Sequence, residues 1–371
     1  MSQSNPKPEL TSCFIFGAHD AIGGCVRDRL VARGVKVTAF MPESVIADVT
    51  VDVEYTKGNL EKISREQLTQ SLAGYDVAVY NLMPEPFQSV SDSIDLYEFY
   101  RERLVNLPLK ALECAMRARV KKIIFVGSLF SYFARTWREM HLTERHTYLK
   151  AAAEAEDLLV RAGKGEANGG IDTVFIEASL CFGSRATVWK DIFLDRFSKM
   201  SDVCFAKGGV NIATPECIAD GIIAAAYYAE HGKLLPVGDA DYGYKFIINT
   251  MMETIGSPDR YKATRPWRFR DFGTVLKREC KAAGKVCGLD HRYIMKDIFE
   301  CGAYLHNLAD IDIVGNVREY LRYSELGIIA DYDSAEGIRR SMRSIYPHRF
   351  DENGRLRAEW IGVKTTPNES N

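Results

Sequence analysis

The 371-residue sequence has no apolar run of membrane-spanning length. Its best stretch, Ile218 to Ala229, is interrupted by Asp220 and has the length of a core helix. A basic-then-apolar leader is also missing. Residues 1–9 are polar with two prolines, so a secretory signal is not expected. The nine cysteines contain no Cys-x-x-Cys, their number is odd, and several sit inside apolar runs. That usage argues against a disulfide framework or a zinc site, and fits reduced, buried thiols in a cytoplasmic protein with no metal. Neither sign of charge is in excess: 48 basic residues face 50 acidic ones, for a net charge of −2. Nothing global therefore draws the chain to nucleic acid or to a membrane surface. Internal repeats and low-complexity segments are absent. What remains, 46% hydrophobic and 26% charged, suits a globular protein with a full core and a second lobe.

The most informative stretch is Cys13 to Gly24. Cys13–Phe16 reads as a buried strand, a glycine turn follows, and Cys25–Arg33 reads as a helix closed by Gly34. Val35–Phe40 is a second strand. Glycines at the first turn of such a βαβ unit place a dinucleotide pyrophosphate on a helix N-terminus. The spacing here is Gly17-x-x-Asp20-x-x-Gly23, with an aspartate where a glycine is expected. Asp20 is a good helix N-cap, and its carboxylate would both use the amides meant for phosphate and repel phosphate itself.

Further apolar runs without alternation follow at 51–55, 76–82, 122–128 and 173–178, separated by helical stretches at 64–72, 97–117 and 147–162. Pro108 is expected to break or start the second of these helices. The pattern predicts an α/β fold: a Rossmann-type doubly wound parallel sheet with a smaller, mainly helical C-terminal substrate lobe. The expected organisation is a disordered N-terminus over 1–10, a dinucleotide-binding domain over 11–183 with its sheet completed from 205–240, a substrate lobe over 184–360 and a disordered tail over 361–371. Residues 260–296 carry eleven basic and three acidic residues. They mark either a solvated helical face or a lobe that receives an anionic substrate.

Taken in order, these pieces resemble the extended short-chain dehydrogenase/reductases, the NAD-dependent epimerase/dehydratase family, from about Ser12 to about Tyr346. The first turn resembles the family's Gly-x-x-Gly-x-x-Gly, Gly58-Asn59-Leu60 its Gly-Asp-Leu, and Val126-Gly127-Ser128 the strand end carrying its serine. Ala213–Gly221 and Leu235–Asp239 are similar to its cleft-closing turn and later strand, and Ser324–Gly327 with Ser334–Ile338 to its C-terminal module. The resemblance implies NAD or NADP as cofactor, held by Gly17, His19, Asp20, Ile22, Gly23, Glu43, Asn59, Leu60 and Asn81. Glu43, near the end of the second strand, favours NAD weakly. A small-molecule substrate and a homodimer built on the two long helices are also implied.

The family's chemistry uses a serine that orients the substrate oxygen, a tyrosine that transfers a proton, and a lysine one helical turn later. Ser128 and Tyr148 take the first two places. The third is Ala152; Lys150 lies about 200° around the helix from Tyr148 at 3.6 residues per turn. Arg145, His141 and His146 stand nearby as alternative charged or acid-base groups. Tyr132, Arg185, Trp189, Arg265 and Arg268 are candidate substrate contacts, while Glu177, Ala178 and Phe182 depart from the family's Arg-Pro and Tyr-Gly. The resulting expectation is an NAD(P)-dependent oxidoreductase or epimerase-like enzyme on a carbonyl, hydroxyl or modified-sugar substrate. The alternative is a catalytically impaired relative that senses, scaffolds or regulates, or a non-redox enzyme in the same cleft.

Overall fold

The structure is a computed structural model. It describes residues 9–45, 53–165, 169–184, 203–258, 260–263, 266–306 and 312–363. Seven strands form one parallel sheet: β1 (Ser12–Phe16), β2 (Lys36–Met41), β3 (Glu54–Lys57), β4 (Val77–Tyr80), β6 (Lys122–Ser128), β7 (Asp172–Ala178) and β11 (Leu234–Val237). Their order is β3-β2-β1-β4-β6-β7-β11, with β5 (Ser89–Ser91), β8 (Leu180–Cys181), β9 (Val203–Phe205) and β10 (Gly209–Ala213) outside the sheet. The order reverses between β1 and β4, which pair in parallel with Phe16 opposite Tyr80. This is the doubly wound arrangement, and its switch point is where such sheets bind ligands.

Continuous apolar strands require cover on both faces, and each face has its own core. On one side, Phe14, Phe16, Tyr80 and Phe125 pack toward α2 (Arg65–Leu72), α4 (Leu107–Arg117) and α7 (Thr147–Gly163). On the other, Ile15, Val79, Ile124 and Val174 pack toward α1 (Ala21–Ala32) and α8 (Pro215–Tyr228). The Ile218–Ala229 run is thus a helix buried in the second core. The chain after β11 adds β12 (Ala240–Gly243), α9 (Tyr244–Thr254), β13 (Tyr261–Ala263), α10 (Pro266–Ala282), β14 (Lys285–Cys287), α11 (His291–Ile294) and α13 (Ser334–Ile345), with α12 (Ile313–Tyr320) between the last two.

Among the described residues the third strand pairs Thr38 with Glu54 and Met41 with Lys57; residues 51 and 52 of its expected range lie outside them. Pro108 stands in the first turn of α4, at the helix start expected of it. α3 (Leu96–Arg101) continues through a wide π turn at Glu102–Asn106 into α4, with the Leu107 N–H on the Glu102 carbonyl. The wide turn is what admits a residue with no N–H to donate.

Candidate functional site

The β1–α1 turn is built to bring backbones close together. Gly17 has φ of +79°, and a Cβ there would lie 2.3 Å from the Asn81 carbonyl oxygen. A Cβ on Gly23 would lie 2.2 Å from the Gly17 carbonyl oxygen. Only glycine fits either place. Asp20 caps α1: its Oδ1 accepts from the Gly23 N–H at 2.7 Å, and Asn81 Nδ2 donates to both carboxylate oxygens at 2.8 Å. Burial raises the Asp20 pKa, against the opposing pull of these hydrogen bonds and of His19. The His19 Nδ1 is buried with no hydrogen-bond partner.

Beside this turn, at the carboxyl ends of β4, β6 and β7, lies a cavity of about 140 Å³. It is lined by Asp20, Ile22, Asn81, Glu85, Ser128, Tyr148, Ser179 and Cys181, among others, and by no lysine, arginine or histidine among the described residues. Ser128 ends β6 and caps α5 (Leu129–Thr136), its Oγ accepting from the Phe130 N–H at 3.3 Å. Tyr148 sits in the first turn of α7, its own N–H on the Gly288 carbonyl at 3.0 Å. Its ring stands edge-on to Tyr100 at 5.4 Å. Burial holds the phenol pKa well above its ordinary value, and the negative charge of Glu85 adds to the effect. The fold therefore brings Ser128 and Tyr148 to one cavity at the switch point.

Position +4 from that tyrosine is Ala152, 6% exposed and part of the core. The neighbouring cations look elsewhere. Lys150 stands 4.3 Å over the Tyr97 ring, and Arg145 pairs with Asp297 beside Tyr293. His141 is exposed against Glu144. His146 is fully buried at the start of α7, where its Nδ1 accepts from the Asp290 N–H at 2.9 Å. Burial pushes its pKa down to about 4, so it is a neutral strut between α7 and the C-terminal segment.

Glu85 was not foreseen. It follows β4 in Met83-Pro84-Glu85-Pro86 and opens onto the cavity. Glu85 is itself exposed at the mouth of the cavity, where partial desolvation by the protein around it and then the charge of Asp20 push its carboxyl up. No family motif carries it; the only signal is an acid held between two prolines directly beyond a switch-point strand.

The other candidates separate. Glu43 is exposed beyond β2, and Asn59 is exposed with its Oδ1 on the Glu61 N–H at 2.8 Å. Leu60 is buried in the core and its carbonyl accepts from Lys110. Tyr132 does not line the cavity; it lies on α5, its ring 5.3 Å from Phe133 and 5.8 Å from the Arg135 guanidinium. Arg185, Trp189 and Arg265 lie outside the described residues, as does the side chain of Arg268 in α10. Glu177, where the family has arginine, is fully buried and holds Arg135 through two hydrogen bonds of 2.8 and 2.7 Å. No helix is long and apolar enough to cross a membrane, and no metal-ligand cluster is present, among the described residues.

Residues 17–164 match the family described as NAD(P)H-binding. No curated protein matches the sequence. Solved structures share its fold at low identity. A protein crystallised as gox2253 is 13% identical with a TM-score of 0.68, covering 92% of this chain and 99% of its own. A nucleoside-diphosphate-sugar epimerase from Pseudomonas aeruginosa is 11% identical with a TM-score of 0.61, covering 91% and 98%. The Thermus thermophilus UDP-glucose 4-epimerase, solved as a complex with NAD, is 15% identical with a TM-score of 0.57, covering 90% and 98%.

Proposed function

Carrying an NAD(P)H-binding domain in the fold of the extended short-chain dehydrogenase/reductases, the chain is, we propose, an NAD(P)-dependent oxidoreductase or epimerase-like enzyme acting on a small or medium carbonyl- or hydroxyl-bearing substrate. The observation that carries this reading is the meeting of Ser128 and Tyr148 in one cavity beside the glycine turn. Gly17 and Gly23 leave the close backbone approach that a dinucleotide needs, and the carboxylates of Asp20 and Glu85 oppose it. A bound nicotinamide would supply the hydride donor or acceptor.

The residues have separable tasks. Ser128 accepts the Phe130 N–H and keeps its own hydrogen free to donate to a substrate oxygen. Tyr148 is a neutral phenol at neutral pH, and no lysine stands at position 152 to lower its pKa. A phenol with so high a pKa is a weak proton donor and is hardly ever the phenolate base, so proton transfer through Tyr148 is slowed in both directions. Glu85, its carboxyl pushed up at the same cavity, is proposed to exchange a proton with the site. Loss of two units of pKa lowering corresponds to about 2.7 kcal/mol, roughly a hundredfold in rate, so slow turnover is expected. The basic residues of 260–296, Arg268 among them, are proposed to meet an anionic part of the substrate. The outer faces of α3–α4 and α7 are proposed to pair two chains, which light scattering checks.

The test is turnover on carbonyl and nucleotide-sugar panels with each nicotinamide cofactor. Tyr148→Phe should lower kcat by about a hundredfold or more. Full activity in Tyr148→Phe would remove the tyrosine from the mechanism. Binding without turnover on any substrate would favour the alternative, a sensor or regulator, which the alanine at 152 and the carboxylate at 20 also support.

A further inference from the structure

We infer that Asp20 is an internal competitor for the cofactor diphosphate, so that a dinucleotide enters this cleft together with a proton. The inference rests on the dinucleotide reading of the β1–α1 turn and adds a regulation of that site. It begins with occupancy. The first turn of α1 is the place where backbone N–H groups and the helix dipole favour an anion. Here an anion is already built in: Asp20 takes the Gly23 N–H at 2.7 Å. It is held there from the opposite strand, because Asn81 Nδ2 reaches both of its oxygens at 2.8 Å and the Gly17 carbonyl at 3.3 Å. These three hydrogen bonds fix the carboxylate over the first turn of α1.

The surroundings do not neutralise it. Asp20 is faced by His19 on its own turn, by Glu85 from the loop after β4 and by Cys181 from β8; Asn81 is the neutral clamp. Among the described residues the cavity has no cationic side chain. A diphosphate arriving at this helix end would therefore meet two carboxylates and, among the described residues of the cavity, no lysine or arginine. Protonation removes the conflict at least cost. One solvent proton bonds to a carboxyl oxygen of Asp20; the other oxygen still accepts the Gly23 N–H, and the new O–H donates to a phosphate oxygen. Burial already pushes Asp20 in that direction, and Glu85 is the second group able to take up a proton.

Calorimetric titration of the full chain with NAD, NADH, NADP and NADPH, between about pH 6 and about pH 8 and in buffers of different ionisation heat, counts the protons taken up on binding. The expected result is uptake approaching one proton, with Kd rising up to about tenfold per pH unit where Asp20 is ionised. Asp20→Asn should remove most of the uptake and tighten binding at about pH 8 by about tenfold or more. Asp20→Gly, which restores the glycine spacing, should do the same if the amide variant folds poorly. A wild-type Kd that is flat with pH and independent of buffer overturns the inference while leaving the dinucleotide reading intact. So does an Asp20→Asn variant that keeps the wild-type pH dependence. No binding by the wild type or either variant at any pH overturns both.

Discussion

Replacing Arg135 with methionine should destabilise the protein strongly at alkaline pH and much less at acid pH. Arg135 holds Glu177 through two charge-assisted hydrogen bonds and Glu156 through a third at 3.2 Å. The Glu177 side chain is 0% exposed and that of Glu156 is 12% exposed. One guanidinium thus serves two enclosed carboxyls, and burial raises both pKa values, that of Glu156 to about 8. Removing one partner of a buried ion pair costs about 3–5 kcal/mol, because the remaining charge is left uncompensated. The sign of the pH effect follows from linkage. A carboxyl with a raised native pKa binds its proton more tightly folded than unfolded, so its contribution is fully present below the unfolded pKa, near 4.5, and is lost as pH rises toward its native value. Without Arg135 the native pKa of Glu177 rises further, and below it the carboxyl becomes a neutral buried acid. Urea denaturation of wild type and Arg135→Met at about pH 5.5 and about pH 8 should show the larger gap at the higher pH. The double variant Arg135→Met/Glu177→Leu should recover much of the loss, as apolar replacements of buried pairs often do. An equal gap at both pH values would refute the argument, and so would a double variant no more stable than the single one. The consequence reaches the cavity: Glu177 precedes the cavity-lining Ala178, and Arg135 lies on the helix that Ser128 caps.

Gly17→Ala should cost about 3 kcal/mol or more or prevent folding, because the new methyl meets the Asn81 carbonyl at positive φ, whereas Gly127→Ala, whose nearest contact would be 3.9 Å, should be nearly neutral; thermal melts compare the two. His146→Gln keeps an acceptor for the Asp290 N–H but cannot titrate. The wild-type imidazole has a native pKa lowered to about 4, so its contribution is present above the unfolded value near 6.5 and is lost as pH falls toward 4. Over that window the wild type should lose roughly 3 kcal/mol more than the variant, read by denaturation at several pH values; parallel curves would remove His146 as the cause. Ala152→Lys should lower the Tyr148 pKa in an ultraviolet titration referenced to Tyr148→Phe and raise any turnover, at a cost in stability because the site is buried. An unchanged phenol titration in a folded variant would show that the new ammonium does not reach the tyrosine.

Much of the fold was legible because parallel strands buried on both faces leave uninterrupted apolar runs, as in Cys13–Phe16 and Ile123–Val126, and glycines punctuate the turns between them. The strand at Glu54–Lys57 is less legible because it lies at the sheet edge, half exposed, and carries no comparable run. Pro108 marks the start of α4, but no local pattern announces the π turn at Glu102–Asn106 that joins α4 to the helix before it. At the site, Ser128 and Tyr148 were legible only through the family resemblance, which supplied the strand end and the helix register, and the structure brings both to the cavity. Tyr132 was not separable from them in the sequence, where it stands four residues beyond Ser128; the helix capped by Ser128 turns it toward Phe133 and Arg135. Glu85 was invisible because its place at the cavity mouth beside Asp20 is set by the tertiary fold, which leaves no local pattern. Asp20 is the opposite case. Its departure from the glycine spacing was plain in the sequence, but the sign of its effect depended on where the carboxylate pointed. Had it turned to solvent, it would have been an ordinary N-cap beside an open phosphate site. Clamped by Asn81 over the first turn of α1, it makes the turn that defines the fold also the main obstacle to the ligand that fold usually receives.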